Sequence, residues 1–361
     1  MKRILHTEAS PGWGGQEIRI LREAEGLRDR GFEIYFAVNE EGALVEKLRE
    51  AGFHVYPVPF ARSQAIQTCF HLLRIIRRHN IELINTHSSL DAWVGGFVGR
   101  LAGVKIVRTR HLSTPIRPGL NSVALYRWFA DKVATTCEAT AQLIRKQAHL
   151  DEQRCMSVPT GVNTEKVQVR AEAAMEFREK FGIAPTDCVV GTTCILRTWK
   201  GVADLLQAAK LLQNEKHIKW LIVGGGVSEA YFRDLWETLE LQDTVFFSGH
   251  IDNPFPAIAA MDIFSLLSTG NEGVSQASLQ AAFLKKPLIT TRVGGLPEVC
   301  VHHHTGYCVN THSPREVATM VKRLAGNPIQ RERMGENAKQ LVLDKFTLEK
   351  TLNEMEVLYQ G

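Results

Sequence analysis

Short β-like runs alternate with amphipathic helical stretches along nearly the whole chain, and the alternation starts twice. In the first half, "RILHTE", "EIYFAV", "HVYPVPF", "IELINTH" and "VKIVRTRH" read as strands. Between them lie the helical runs "QEIRILREAEGLRDRG", "ALVEKLREAG", "CFHLLRIIRRHN" and "DAWVGGFVGRLAG". The rhythm restarts near residue 188 with "CVVGTTCIL", "KWLIVGGG", "TVFFSGH", "DIFSLLS", "KPLITTRV" and "GYCVN" as strands. A β-run followed by a helix and another β-run dictates a parallel sheet covered by helices on both faces. Ile18, Leu21 and Leu27 have the spacing expected of the first helix's apolar face.

Two such series in 361 residues predict two domains, since one core rarely grows to that size. The segment "VPTGVNTEKVQVRAEAA", with Pro159 and Gly161 as breakers, reads as the hinge linker. The expected architecture is therefore α/β, with two Rossmann-like domains facing across a cleft. The first covers residues 1–165 and the second residues 170–345. Residues 346–361 read as a helix that caps the second domain or crosses back onto the first. Ligands of such sheets sit beyond the carboxyl ends of the strands, so loops there are the places to look for chemistry.

Composition narrows the class. With 44% hydrophobic and 23% charged residues the chain reads as an ordinary globular protein. A net charge of +4 is too small to imply nucleic acid. No run approaches the roughly 18 apolar residues of a spanning helix, and "MKRILHTEAS" does not read as a signal peptide. Seven cysteines with no CxxC fit a reducing, cytoplasmic setting.

Several loops carry residues suited to a ligand. "SPGWGGQE" (residues 10–17) follows the first strand, and Gly12, Gly14 and Gly15 allow close backbone approach at a helix start. It lacks the GxGxxG and GK[ST] patterns, so a plain tight turn is the competing reading. "RTWKG" (residues 197–201) follows the first strand of the second half. Arg197 and Lys200 there have the chemistry of a diphosphate clamp, against the alternative of a solvated turn. "EGVSQASLQ" (residues 272–280) reads as a loop entering a helix. It has Glu272 in the loop, Gly273, Val274 and Ser275 at the helix start, and Gln280 about one turn in. His111, ending "RTRH", and more weakly His87 in "NTHSS", are expected at strand ends. "CVHHHTGYC" (residues 300–308) matches no zinc spacing and reads as an exposed turn. "LLRIIRRH" and "LYRWFADK" combine basic and apolar character, which suits packed helices or contact with a membrane surface.

In this order, the motifs resemble the family 4 retaining glycosyltransferases of GT-B architecture. The resemblance runs from "GGQEIRILREAEGLRDRGFEI" to "TGYCV" and is strongest from "ILRTWKG" through "VGGLPEVCVHHHTGYCV". It implies transfer of a sugar from a nucleotide-sugar to a glycan or lipid-linked acceptor, as in lipopolysaccharide or surface polysaccharide synthesis. No cofactor, no obligatory metal and no nucleic acid are implied. The site implied is cytoplasmic, with peripheral contact at the inner membrane left open. Arg197 and Lys200 would bind the donor diphosphate, and Gly14 and Gly15 would approach the same phosphates. His111 and Glu272 would contact the transferred sugar. Gly273, Val274 and Ser275 would hold sugar hydroxyls and phosphate, and His250 and Ile251 would lie near the nucleobase. Gln280 stands where the family usually has a second glutamate facing the donor ribose. An amide there loses charge assistance, weakening that contact by about 1 kcal/mol. Two rival readings remain at this stage: a sugar-nucleotide epimerase on the same fold, and a non-catalytic GT-B binding protein.

Overall fold

The computed structural model describes residues 2–111, 116–270 and 272–360. The chain divides into two compact units, Met1–Thr160 with Glu349–Gly361, and Gly161–Leu348.

The first unit is built on seven parallel strands: β1 (Arg3–Glu8), β2 (Glu33–Asn39), β3 (His54–Val58), β4 (Leu83–Thr86), β5 (Lys105–Arg110), β6 (Lys132–Thr135) and β7 (Cys155–Ser157). Their order across the sheet is β3-β2-β1-β4-β5-β6-β7. The second has six: β8 (Cys188–Thr193), β9 (Ile218–Val223), β10 (Val245–Gly249), β11 (Ile263–Leu266), β12 (Leu288–Thr291) and β13 (Gly306–Val309), in the order β10-β9-β8-β11-β12-β13. Both sheets thus run outward from a central first strand and reverse direction once. The reversal lies between β1 and β4 in one unit and between β8 and β11 in the other. At such a switch point the loops above neighbouring strands diverge and leave a crevice for a ligand.

Burial on both faces explains the continuous apolar runs. Ile4, Leu5, Phe36 and Ile84 in the first sheet, and Val190, Leu221, Ile222 and Phe264 in the second, are wholly enclosed. The Gly15–Asp29 helix departs from the expected stripe. It buries Ile20, Ala24 and Leu27, while Ile18 and Leu21 are only half-buried. Arg19 and Glu23 are buried on the same helix because they neutralise each other at 3.3 Å, one turn apart. The Leu348–Gln360 helix closes the first unit. Its Leu352 packs where a Cβ on Gly26 would stand, and Tyr359 is wholly buried.

Candidate active site

In the second unit, two loops meet above the switch point. After β8, Leu196 donates its N–H to the Gly225 carbonyl at 3.0 Å and accepts from the Ser228 N–H at 3.1 Å. This pins the segment to the glycine loop that follows β9. Arg197 is extended and exposed, and residues Thr198–Lys200 form a single 3₁₀ turn. Gly201 then takes a left-handed φ of 73°, and a Cβ there would collide with the Leu267 carbonyl. Only glycine lets the chain turn so close to the end of β11.

The second loop brings Glu272 to Lys200. The ammonium pairs with Glu272 Oε1, and Ser268 Oγ donates to the same oxygen at 2.6 Å. Lys200 Nζ also lies 4.5 Å from the centre of the Trp199 ring, a cation–π contact. The Glu272 side chain is 8% exposed and that of Lys200 16%. An ion pair so withdrawn from water costs desolvation that its own attraction largely offsets, so it adds little stability. Its value is to keep a carboxylate and an ammonium in fixed places at the sheet's switch point. The Glu272 carbonyl in turn accepts from the Gly295 N–H at 3.3 Å, and Gly294 sits under it at φ 53° where a Cβ would clash.

Ser275 caps the Gln276–Phe283 helix, its Oγ accepting from the Ser278 N–H at 3.4 Å. Ser275 therefore stands at a helix start whose first N–H groups lack partners within the helix, with Gly273 and Val274 just before it. Val274 is buried and Gln280 half-buried. His250 and Ile251 follow β10, the edge strand two places from β8. His250 is exposed, with Nε2 3.4 Å from Asp252. No contact among the described residues joins it to the Lys200–Glu272 pair.

In the first unit, the switch point is occupied by buried polar groups. Glu8, at the end of β1, accepts from the Ser10 N–H at 2.7 Å and from the Gln16 side chain, holding the glycine loop from both ends. Gly14 caps the helix with extended backbone and Gly15 begins it. Burial, then the nearby charge of Asp91, pushes the Glu8 carboxyl up to about 7. Asp91, also raised by burial, accepts from Thr7 Oγ1, the His87 and Ser88 N–H groups and Ser88 Oγ at 2.7–2.9 Å.

Beside them, three imidazoles form a line. His6 Nδ1 lies 2.8 Å from His87 Nε2, and His87 Nδ1 lies 2.8 Å from His111 Nε2. Burial, and for His87 and His111 also neighbouring histidines and arginines, holds all three below the ordinary histidine range, His6 at about 3. The buried Arg108 and Arg19 contribute to this field. A second buried chain passes from Thr109 Oγ1 to Asn85 Oδ1 at 2.9 Å, from Asn85 Nδ2 to Tyr359 Oη at 2.6 Å, and on to Glu23 at 3.4 Å.

His6, Glu8, Asp91 and Ser268 are site neighbours that the motif reading passes over. Ser88-x-x-Asp91 has the form of a helix-start capping box, here with Asp at the third position, and that signal marks Asp91. His6 and Glu8 end a strand in a polar cluster, which was the available hint. The histidine triplet at 302–304 is exposed, and among the described residues no group of three or more His, Cys, Asp or Glu could hold a metal. No helix of the described residues is long and apolar enough to cross a membrane.

Comparison with known proteins agrees with this geometry. Residues 174–341 match the family model for glycosyl transferases group 1, and residues 13–166 match that for glycosyltransferase family 4. The chain is 25% identical to N-acetyl-alpha-D-glucosaminyl L-malate synthase of Bacillus anthracis, over 99% of this chain and 97% of that one. It is 21% identical to a capsular polysaccharide biosynthesis glycosyltransferase of Staphylococcus aureus, over 95% and 94%. An Anabaena protein solved in complex with UDP superposes with a TM-score of 0.88 at 22% identity, over the whole of both chains. Ordered motifs, twin parallel sheets and these matches converge: the chain belongs to the family 4 glycosyltransferases and is a glycosyltransferase of GT-B fold.

Proposed function

We propose that the protein transfers a sugar, with retention of anomeric configuration, from a nucleoside-diphosphate sugar to a hydroxyl of a glycan or lipid-linked acceptor in surface glycan synthesis. The observation that carries this reading is the Lys200–Glu272 pair at the β8/β11 switch point with Arg197 exposed beside it. Arg197 and Lys200 would take the charge that builds on the departing diphosphate, where electrostatic stabilisation is most effective. Glu272 would accept from sugar hydroxyls. Gly273, Val274 and Ser275 would donate backbone N–H groups to sugar and phosphate, with Gln280 toward the ribose and His250 and Ile251 toward the base. In the first unit, Gly14 and Gly15 would admit phosphate and His111 would contact the transferred sugar.

In the step itself, the acceptor oxygen bonds to the anomeric carbon as the bond from that carbon to the diphosphate breaks. The acceptor proton passes to the departing phosphate oxygen, so no separate carboxylate base is required. The cationic side chains serve the role for which other enzymes use a metal, and we propose that none is obligatory.

Seven unbridged cysteines suit a cytoplasmic site. The Ala65–His79 helix exposes Ile66 and Phe70 near Arg62 and Arg74, which supports peripheral contact with a lipid surface.

A thermal-shift series with UDP-, GDP- and ADP-sugars tests the donor reading. A true donor at a hundred times its Kd should stabilise the fold by about 2.7 kcal/mol. No shift with any of them would overturn the proposal.

A further inference from the structure

We infer that His87 and His6 are positioning residues that fix His111 as the Nδ1–H tautomer, so that His111 acts as a hydrogen-bond donor. The inference extends the reading of His111 as a sugar contact, because it specifies what His111 can contact: an oxygen that accepts a hydrogen bond, such as a sugar hydroxyl.

The protons along the imidazole line can be counted. Each ring is neutral, since burial and the neighbouring arginines disfavour the charged forms of His87 and His111, and burial alone does so for His6. Three neutral rings carry three N–H groups on six nitrogens. The two contacts at 2.8 Å each need one proton between their nitrogens. One proton is left, and it must sit at one end of the line. Because each ring has a single N–H, the whole line shares one polarity: all three protons on Nδ1, or all three on Nε2.

The two ends differ. His6 is wholly buried, and its Nε2 has no hydrogen-bond partner among the described residues. Besides His87, the Phe36 and Tyr359 rings pack beside it at 5.3 and 6.3 Å, and the Tyr359 hydroxyl is engaged with Asn85 and Glu23. A proton on His6 Nε2 would be a sealed donor without an acceptor, an arrangement folded proteins rarely keep. His111 is half-buried rather than sealed. With the polarity running outward, His6 Nδ1–H donates to His87 Nε2, and His87 Nδ1–H donates to His111 Nε2. His111 is then left with its proton on Nδ1, at the end of the line that is not closed off. The rings meet edge to edge, with planes 12° apart for His6 and His87 and 32° apart for His87 and His111, so each ring N–H can point along the line.

Long-range 1H–15N correlation spectra of 15N-histidine-labelled protein read each tautomer directly, on the ligand-free protein. The outcome is therefore independent of whether the donor proposal holds. His6, His87 and His111 are expected to show the Nδ1–H pattern, assigned by loss of signals in single variants. An Nε2–H pattern at His111, or a protonated ring in the line at neutral pH, would overturn the inference. In His87→Phe, checked for folding by its melting transition, His111 should lose its single tautomer and give averaged nitrogen shifts. If it instead kept a pure Nδ1–H signature, His87 would have no positioning role. Should His87→Phe fail to fold, the wild-type spectrum still decides the polarity.

Discussion

The two units share a sheet topology and differ in what they place at its switch point. Above β8 and β11 the second unit sets an ion pair and an exposed arginine on loops held by glycines at positive φ. Above β1 and β4 the first unit sets neutral imidazoles and a raised carboxyl inside a largely buried hydrogen-bond network. The same geometric opportunity is thus met once with charged side chains, a withdrawn ion pair beside an exposed arginine, and once with neutral imidazoles enclosed except at the His111 end. Charge suits the handling of a diphosphate, whose own charge changes during reaction. A neutral donor at the open end of a buried line suits the orientation of uncharged hydroxyls, where a misplaced charge would only add desolvation cost.

Substitutions on the two sides should break in different ways. The largest effect is expected from Lys200→Ala or Arg197→Ala. Transfer kcat/KM should fall by about 10²–10³-fold, as when one preorganised donor is removed from a site of developing charge. For the exposed Arg197 the melting temperature should stay unchanged, so retained activity would refute the division of labour. Gly294→Ala, which forces a side chain against the Glu272 carbonyl at φ 53°, should cost about 3 kcal/mol in denaturant unfolding. On the other side, Tyr359→Phe removes a hydroxyl from a sealed network and should cost about 1–2 kcal/mol with donor affinity unchanged.

A pH series of melting temperatures sharpens the contrast. The unfolded chain takes a proton at His6 below about 6.5, while the folded ring, at about 3, does not. The stability this residue contributes is complete above pH 6.5 and is lost as pH falls toward 3, by about 1.4 kcal/mol per pH unit. Glu8 works in the opposite sense. Its carboxyl is raised from 4.5 to about 7, so its contribution is complete below pH 4.5 and lost as pH rises through about 7. His6→Phe should flatten the acid limb, and Glu8→Gln should flatten the slope between pH 4.5 and 7. The smallest effect is expected from Gln280→Glu, a change of about 1 kcal/mol in donor affinity by isothermal titration, with kcat little altered.

The second unit was the more readable in sequence. All six of its strands stand out as apolar runs between turn residues, and its candidate loops, 197–201 and 272–280, are contiguous motifs. In the first unit five of the seven strands stand out. Lys132–Thr135 and Cys155–Ser157, four and three residues long, are too short for alternation to register. The polar network was unreadable for a different reason. His6 and His87 are 81 residues apart, and Asn85 and Tyr359 are 274 apart, so no local pattern announces either pair. The first helix misleads because Arg19 and Glu23 read as solvent-facing charges until their mutual pairing in the interior is seen.

The return of the last helix to the first unit sets an order of assembly. The chain leaves that unit after Thr160 and re-enters it only at Glu349, so the whole second unit is spliced into the first. Val162 bonds to Phe346 and Leu348 at 2.8 Å, tying the outgoing and returning strands of that splice together. During synthesis the first 160 residues emerge without the side chain that seals their polar interior. His6 and Asn85 lack their Tyr359 partner until that residue has been made. Loss of the Leu348–Gln360 helix would therefore damage the half of the molecule made first.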